Sequence, residues 1–172
     1  LSLLVIATAI PTSAQLTATV SIGDITLPQG SMATIPIIIT GAPNNVGSAQ
    51  VDLTYDPTVV QIIGVGGSDF NYFKHNIVNG KVRMIGYQSG PSLIPPATFA
   101  EVTVKAIGNP GDCTPLNLEN ASVLMGTGSP YLVETNNGSV SIVAAVPVYN
   151  VFGMIALIGL LAIVLAVKVR KR

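Results

Sequence analysis

The chain has 172 residues, 49% of them hydrophobic and only 9% charged, with eight acidic residues balancing eight basic ones. The balance conceals an asymmetry: every acid lies upstream of residue 135, while Lys168, Arg170, Lys171 and Arg172 close the chain, so the part before the last segment carries a net charge of −4. Such a body lacks the clustered Lys and Arg that phosphate-backbone binding needs, which excludes nucleic acid as a partner, and the single cysteine, Cys113, excludes an intramolecular disulfide.

In chain order, Leu1 to Ile10 is a short apolar run followed by Pro-Thr-Ser-Ala-Gln, which reads as the apolar region and small-residue cleavage site of a signal peptide ending at Ala14. Residues 15–143 then read as one domain, long enough to bury a core. Within it, apolar residues recur in short runs punctuated by Gly, Pro and Asn, without a helical period, which predicts an all-β fold. The strands expected are Leu16 to Ile22, Ala33 to Thr40, Ser48 to Tyr55, Val59 to Val65, Lys81 to Gln88, Ala100 to Ala106, Leu116 to Met125 and Ser139 to Val143. The sharpest turn signal is Asn79-Gly80, which suits a type I′ hairpin turn leading into Lys81 to Gln88. Many short strands with turns at this spacing indicate a sandwich or jelly roll. Strict alternation sends Ala49, Val51, Leu53 and Tyr55 inward and Ser48, Gln50, Asp52 and Thr54 outward. The same rule sends Ala100, Val102, Val104 and Ala106 inward and Phe99, Glu101, Thr103 and Lys105 outward.

Beyond a linker at 144–150, residues 151–167 contain no charged side chain and precede the basic tail 168–172. Seventeen residues of helix rise roughly 25 Å, slightly less than a hydrocarbon core of about 30 Å, and Tyr149 with a snorkelling Lys168 extends the span. The segment is therefore expected to be a single transmembrane helix with its basic end in the cytoplasm and the domain outside the cell, at the plasma membrane. The pattern of Pro-containing spacer, apolar helix and basic end also resembles sorting signals removed by membrane sortases.

Val51 to Val60, reading Val-Asp-Leu-Thr-Tyr-Asp-Pro-Thr-Val-Val, resembles the strand and following turn of cohesin domains. Val20 to Gly23 with Pro28 to Ile39, Asn79 to Tyr87, Phe99 to Gly108 with Thr114 to Leu118, and Asn137 to Ile142 resemble further strands of that family in the same order. The resemblance spans about residues 17 to 143 and implies a nine-stranded jelly-roll sandwich, a fold similar to that of cellulase carbohydrate-binding modules. It also implies a non-catalytic function in which a sheet face docks a small helical partner, the dockerin. On this chain that face would be Ser48, Gln50, Asp52 and Thr54, flanked by Arg83, Tyr87 and Glu101. The family commonly carries Asn and Asp where Ser48 and Gln50 stand here, so the chain departs at expected contacts.

Two other readings remain at this point: a carbohydrate-binding module holding polysaccharide, and a structural envelope or adhesion subunit. Sugar stacking requires a row of exposed aromatics. There is no Trp, and the only aromatic cluster is Phe70, Tyr72 and Phe73, read as plugging the end of the sandwich, with Tyr131 alone. Catalysis finds no support: His75 is the sole histidine and reads as a loop or surface residue. Cys113 reads as a small, partly buried turn residue. No cofactor is expected; Asp69 with Asn71, or Asp52 with Asp56, offers oxygen ligands to calcium, but Asp56 before Pro57 is more simply a turn residue. Asn120 and Asn137 begin N-glycosylation sequons in the exported region.

Overall fold

The structure, a computed structural model, describes residues 15–145. The expected signal peptide (1–14), the transmembrane helix (151–167), the basic tail (168–172) and all of the linker beyond residue 145 lie outside the described residues. Those described form eleven strands: β1 (Thr17–Ile22), β2 (Ile25–Pro28), β3 (Met32–Thr40), β4 (Val46–Thr54), β5 (Val60–Gly66), β6 (Tyr72–Val78), β7 (Lys81–Tyr87), β8 (Ala97–Ala106), β9 (Cys113–Met125), β10 (Leu132–Asn136) and β11 (Gly138–Val143). They pack as a sandwich of two sheets, ordered β10-β1-β3-β8-β5 and β2-β11-β9-β4-β7-β6. The all-β expectation holds and all eight predicted strands are present, but the count is eleven rather than nine.

Each of the three additional strands has a physical reason for escaping alternation. β1 pairs antiparallel with β3 in the first sheet, whereas β2, two residues later, runs parallel to β11 in the second. The opening strand thus crosses between sheets at Gly23-Asp24, and it does so against Gly138, where an added Cβ would collide with the Gly23 carbonyl oxygen. β6 and β10 lie at sheet edges, one against β7 and the other parallel to β1. Most of their side chains are exposed on both faces, so no period-two pattern arises.

The β6-β7 hairpin closes at Asn79-Gly80 as expected, with Val78 opposite Lys81. Its turn is not type I′, however. Gly80 has φ of 81° and Asn79 is not among the positive-φ residues, so only the third turn position requires glycine.

The core lies between the sheets and follows the alternation of β4 and β8: Ala49, Val51, Leu53, Ala100, Val102, Val104 and Ala106 are buried. Tyr55, just beyond β4, is only partly buried. Phe99 departs from its expected outward position and is completely buried. Register explains it: Ile37 faces Ala100 and Ile38 faces Thr98, leaving Phe99 as the extra residue of a β-bulge. A bulge breaks strict alternation, so Phe99 and Ala100 both face the core. The Phe99 ring meets Phe70 and Phe73 edge-on, each at 5.8 Å between centroids. Gly86 on β7 makes room for Phe70, whose ring carbon would lie 2.8 Å from an added Cβ. Two of the three clustered aromatics therefore do fill the sandwich; Tyr72 does not. Tyr131 is buried too, its hydroxyl donating to the Asn44 carbonyl.

Candidate functional site

The four strands β9, β4, β7 and β6 present one continuous outer face, with β4 at its centre. Register aligns four cross-strand rows on it. Tyr72, Tyr87, Ser48 and Leu124 form the first row, and Lys74, Ile85, Gln50 and Ser122 the second. Asn76, Arg83, Asp52 and Glu119 form the third, and Val78, Lys81, Thr54 and Asn117 the fourth. Tyr72 and Tyr87 stack with centroids 4.6 Å apart and planes 6° from parallel, as facing residues on paired strands allow. Tyr87 and Ile85 remain 47% and 42% exposed, and a shallow hollow beside them is floored by Gln50, Ser48, Ser122 and Leu124.

The third row is built around one buried charge. Asp52 was expected to be solvent-facing; it does point to the outer side, yet it is completely buried because its neighbours fold over it. Arg83 Nε donates to Oδ1 at 2.8 Å and Nη2 to Oδ2 at 3.0 Å, while Lys81 Nζ lies 2.9 Å from Oδ2. Asn120 Nδ2 adds a fourth donor at 3.0 Å. Asn120 reaches this position from a bulge in β9, where Gln50 faces Ser122 and Asp52 faces Glu119 so that two residues oppose Val51. Its φ of 48° is the left-handed conformation that Asn tolerates better than most residues. The hydrogen bonds from Arg83 dominate in holding the Asp52 carboxyl well below the usual carboxylate range; burial opposes them, and Lys81 and Asn120 add to the lowering. Glu119 accepts from Thr54 Oγ1 at 3.2 Å.

Of the seven residues expected on one face, Ser48, Gln50, Asp52, Thr54, Arg83 and Tyr87 are brought together. Glu101 is not: β8 belongs to the other sheet, so Glu101 lies on the opposite side of the sandwich. Residues missed from sequence are Tyr72, Lys74, Ile85 and Leu124. The first two sit on β6, whose exposed residues show no period, and the last two fall into place only once pairing with β4 is known. Hydrogen bonds engage several other residues singled out in the sequence. Of the two sequon residues, Asn120 donates from Nδ2 to Asp52, and Asn137 accepts from Leu118 N and donates to Asn117 Oδ1. Asp56 accepts from the Thr58 hydroxyl and backbone N–H, and Asp69 accepts from Thr98 N, so these acids serve turns and loops. Among the described residues no group of three or more His, Cys, Asp and Glu is placed to hold a metal ion. His75 lies on strand β6 and Cys113 is exposed at the start of β9, rather than partly buried in a turn.

The sequence profile of the cohesin domain matches residues 18–142, most of the chain. The chain belongs to the cohesin domain family. Membership makes it a non-catalytic binding module. Solved structures agree on the fold. The sixth cohesin of scaffoldin B from Acetivibrio cellulolyticus, determined in complex with a Cel5 dockerin, superposes with a TM-score of 0.67 at 20% identity, covering 73% of this chain and 98% of that one. A type I cohesin from Clostridium thermocellum, in the Coh-OlpC–Doc435 complex, gives 0.67 at 20% identity with coverages of 80% and 100%. The non-cellulosomal cohesin of the hyperthermophilic archaeon Archaeoglobus fulgidus gives 0.62 at 23% identity with coverages of 74% and 92%. Among curated proteins, none matches this chain significantly.

Proposed function

We propose that this cohesin domain docks a helical, dockerin-type partner on the outer face of β9-β4-β7-β6, and that it is held at the cell surface by the apolar segment 151–167. The observation that carries the docking reading is the composition of that face: exposed Tyr87 and Ile85 beside small polar Ser48 and Gln50, above a charge network fixed by hydrogen bonds. A sheet face with exposed apolar anchors and a polar surround matches what a protein interface needs, namely aromatic anchors that become buried and a polar rim. Solved relatives of the same fold were determined with dockerins bound. The anchoring reading is supported by the uninterrupted apolar run and its basic end.

Titration calorimetry of the full chain, held in detergent micelles, against a panel of dockerin modules tests the docking reading. At least one module is expected to bind, and Tyr87→Ser to weaken it roughly tenfold or more, as truncation of an interface aromatic typically does. The exposure of Tyr72 and Tyr87 favours a second reading, binding of polysaccharide on the ring faces that they do not turn toward each other. Retention on insoluble polysaccharide with no response to any dockerin module would replace the first reading by the second.

A further inference from the structure

Charge is partitioned between the two sides of the sandwich. Of the four Lys and Arg residues within 15–145, Lys74, Lys81 and Arg83 all lie on the β9-β4-β7-β6 face, and only Lys105 lies elsewhere. That face holds two acids, Glu119 and the buried Asp52, whereas the rest of the described domain holds six: Asp24, Asp56, Asp69, Glu101, Asp112 and Glu134. The face is thus net cationic on a body that is otherwise strongly acidic.

Asp52 does not offer its charge to a partner, because it is covered and bonded within the chain. The cations that cover it do remain available. The side chains of Arg83 and Lys81 are 56% and 39% exposed, and Arg83 spends two of its five N–H donors on Asp52. Asp52 fixes the guanidinium in one orientation, so that little rotamer freedom is left to lose when a further carboxylate arrives. A shallow pocket lined by Asn76, Val78, Lys81 and Arg83 lies at this point. Along β7, Arg83 and Tyr87 share a face four residues apart, about 13 Å, which a helix covers in roughly two and a half turns.

We propose that the partner is acidic: it places an Asp or Glu carboxylate in the pocket formed by Lys81 and Arg83, and an apolar ridge against Tyr87, Ile85 and Leu124. This deepens the docking reading and rests on it. The acidic remainder of the domain repels such a partner, so approach is steered to the one cationic side.

The test is a selection against the full chain in detergent micelles, using a displayed dockerin-type helical module randomised at its exposed helix positions. The expected result is enrichment of Asp and Glu among the binders, affinity falling about tenfold between 50 and 300 mM NaCl as added salt screens the exposed charges, and most of that salt dependence lost with Lys81→Gln and a smaller share with Lys74→Gln. Lys74 is exposed on the edge strand, so its variant tests the charge without touching Asp52. Enrichment of Lys and Arg in binders that Tyr87→Ser abolishes would overturn the inference while leaving the docking reading intact. Binders indifferent to Tyr87→Ser, or no binders, would overturn the docking reading and the inference with it.

Discussion

Asp52→Ala is expected to lower the unfolding free energy by about 2–4 kcal/mol, a cost set by stranding cations that had shared a buried carboxylate, discounted because Arg83 and Lys81 are partly exposed. The variant leaves two positive side chains side by side on adjacent residues of one face and removes the acceptor for Asn120 in the β9 bulge. A loss in partner binding by this variant would therefore report on folding of the face as much as on contact with Asp52. The pH dependence separates the charge from the packing. With its folded pKa depressed below an unfolded value near 3.9, Asp52 contributes its full stabilisation above about pH 5 and loses it as pH falls below about 4. Denaturant titrations between pH 2 and 7 should show a steep acid limb in the native chain. In Asp52→Asn that limb should flatten, with the remainder due in part to Asp56, whose carboxyl is also lowered by the Thr58 hydroxyl and backbone N–H. An unchanged limb in Asp52→Asn would show that the network contributes nothing to the pH dependence.

Phe99→Ala is expected to cost about 3–5 kcal/mol, the range for deleting a fully buried aromatic ring. The residue is completely inaccessible, and its ring is held between Phe70 and Phe73, which follow from the loop before β6 and from β6 itself. Phe73 is partly buried, and Phe70 reaches the core over the bare backbone of Gly86. The cavity left by Phe99→Ala should loosen β6 first, because β6 is an edge strand paired only with β7. Hydrogen exchange should then accelerate in Tyr72–Val78 before it does so in β4, alongside a fall in the denaturation midpoint. Equal protection in β6 and β4 would place the energetic role of the ring elsewhere.

Both residues show where alternation stops being informative. In β4 the pattern assigned every side chain to its correct side, yet an outward-pointing residue is exposed only if its neighbours leave it so. Asp52 is covered by side chains from β7 and β9, and that pairing cannot be read from β4 alone. In β8 the pattern held from Ala100 onward and failed at Phe99, where one extra residue in the ladder breaks the alternation. Glu101 illustrates a third limit: alternation says in or out without saying which of two sheets a strand joins, so it could not separate Glu101 from the β4 face that the resemblance implied, although β8 belongs to the other sheet. The edge strands β6 and β10 carry too little burial to leave a period, so the sequence does not reveal Tyr72 and Lys74 as part of the face. The core of the face was legible nonetheless, because Ser48, Gln50 and Thr54 lie on a central strand whose inner side is continuous with the core.

The two outer faces of the sandwich provide the decisive comparison, since only one is assigned to docking. Calorimetry of the full chain with a dockerin module that binds it should be repeated with Gln50→Arg, at the centre of the β4 face, and with Glu101→Arg, on the opposite sheet. Loss of binding in Gln50→Arg with unchanged affinity in Glu101→Arg is the expected result. The reverse pattern would place the partner on the β10-β1-β3-β8-β5 sheet and contradict the assignment.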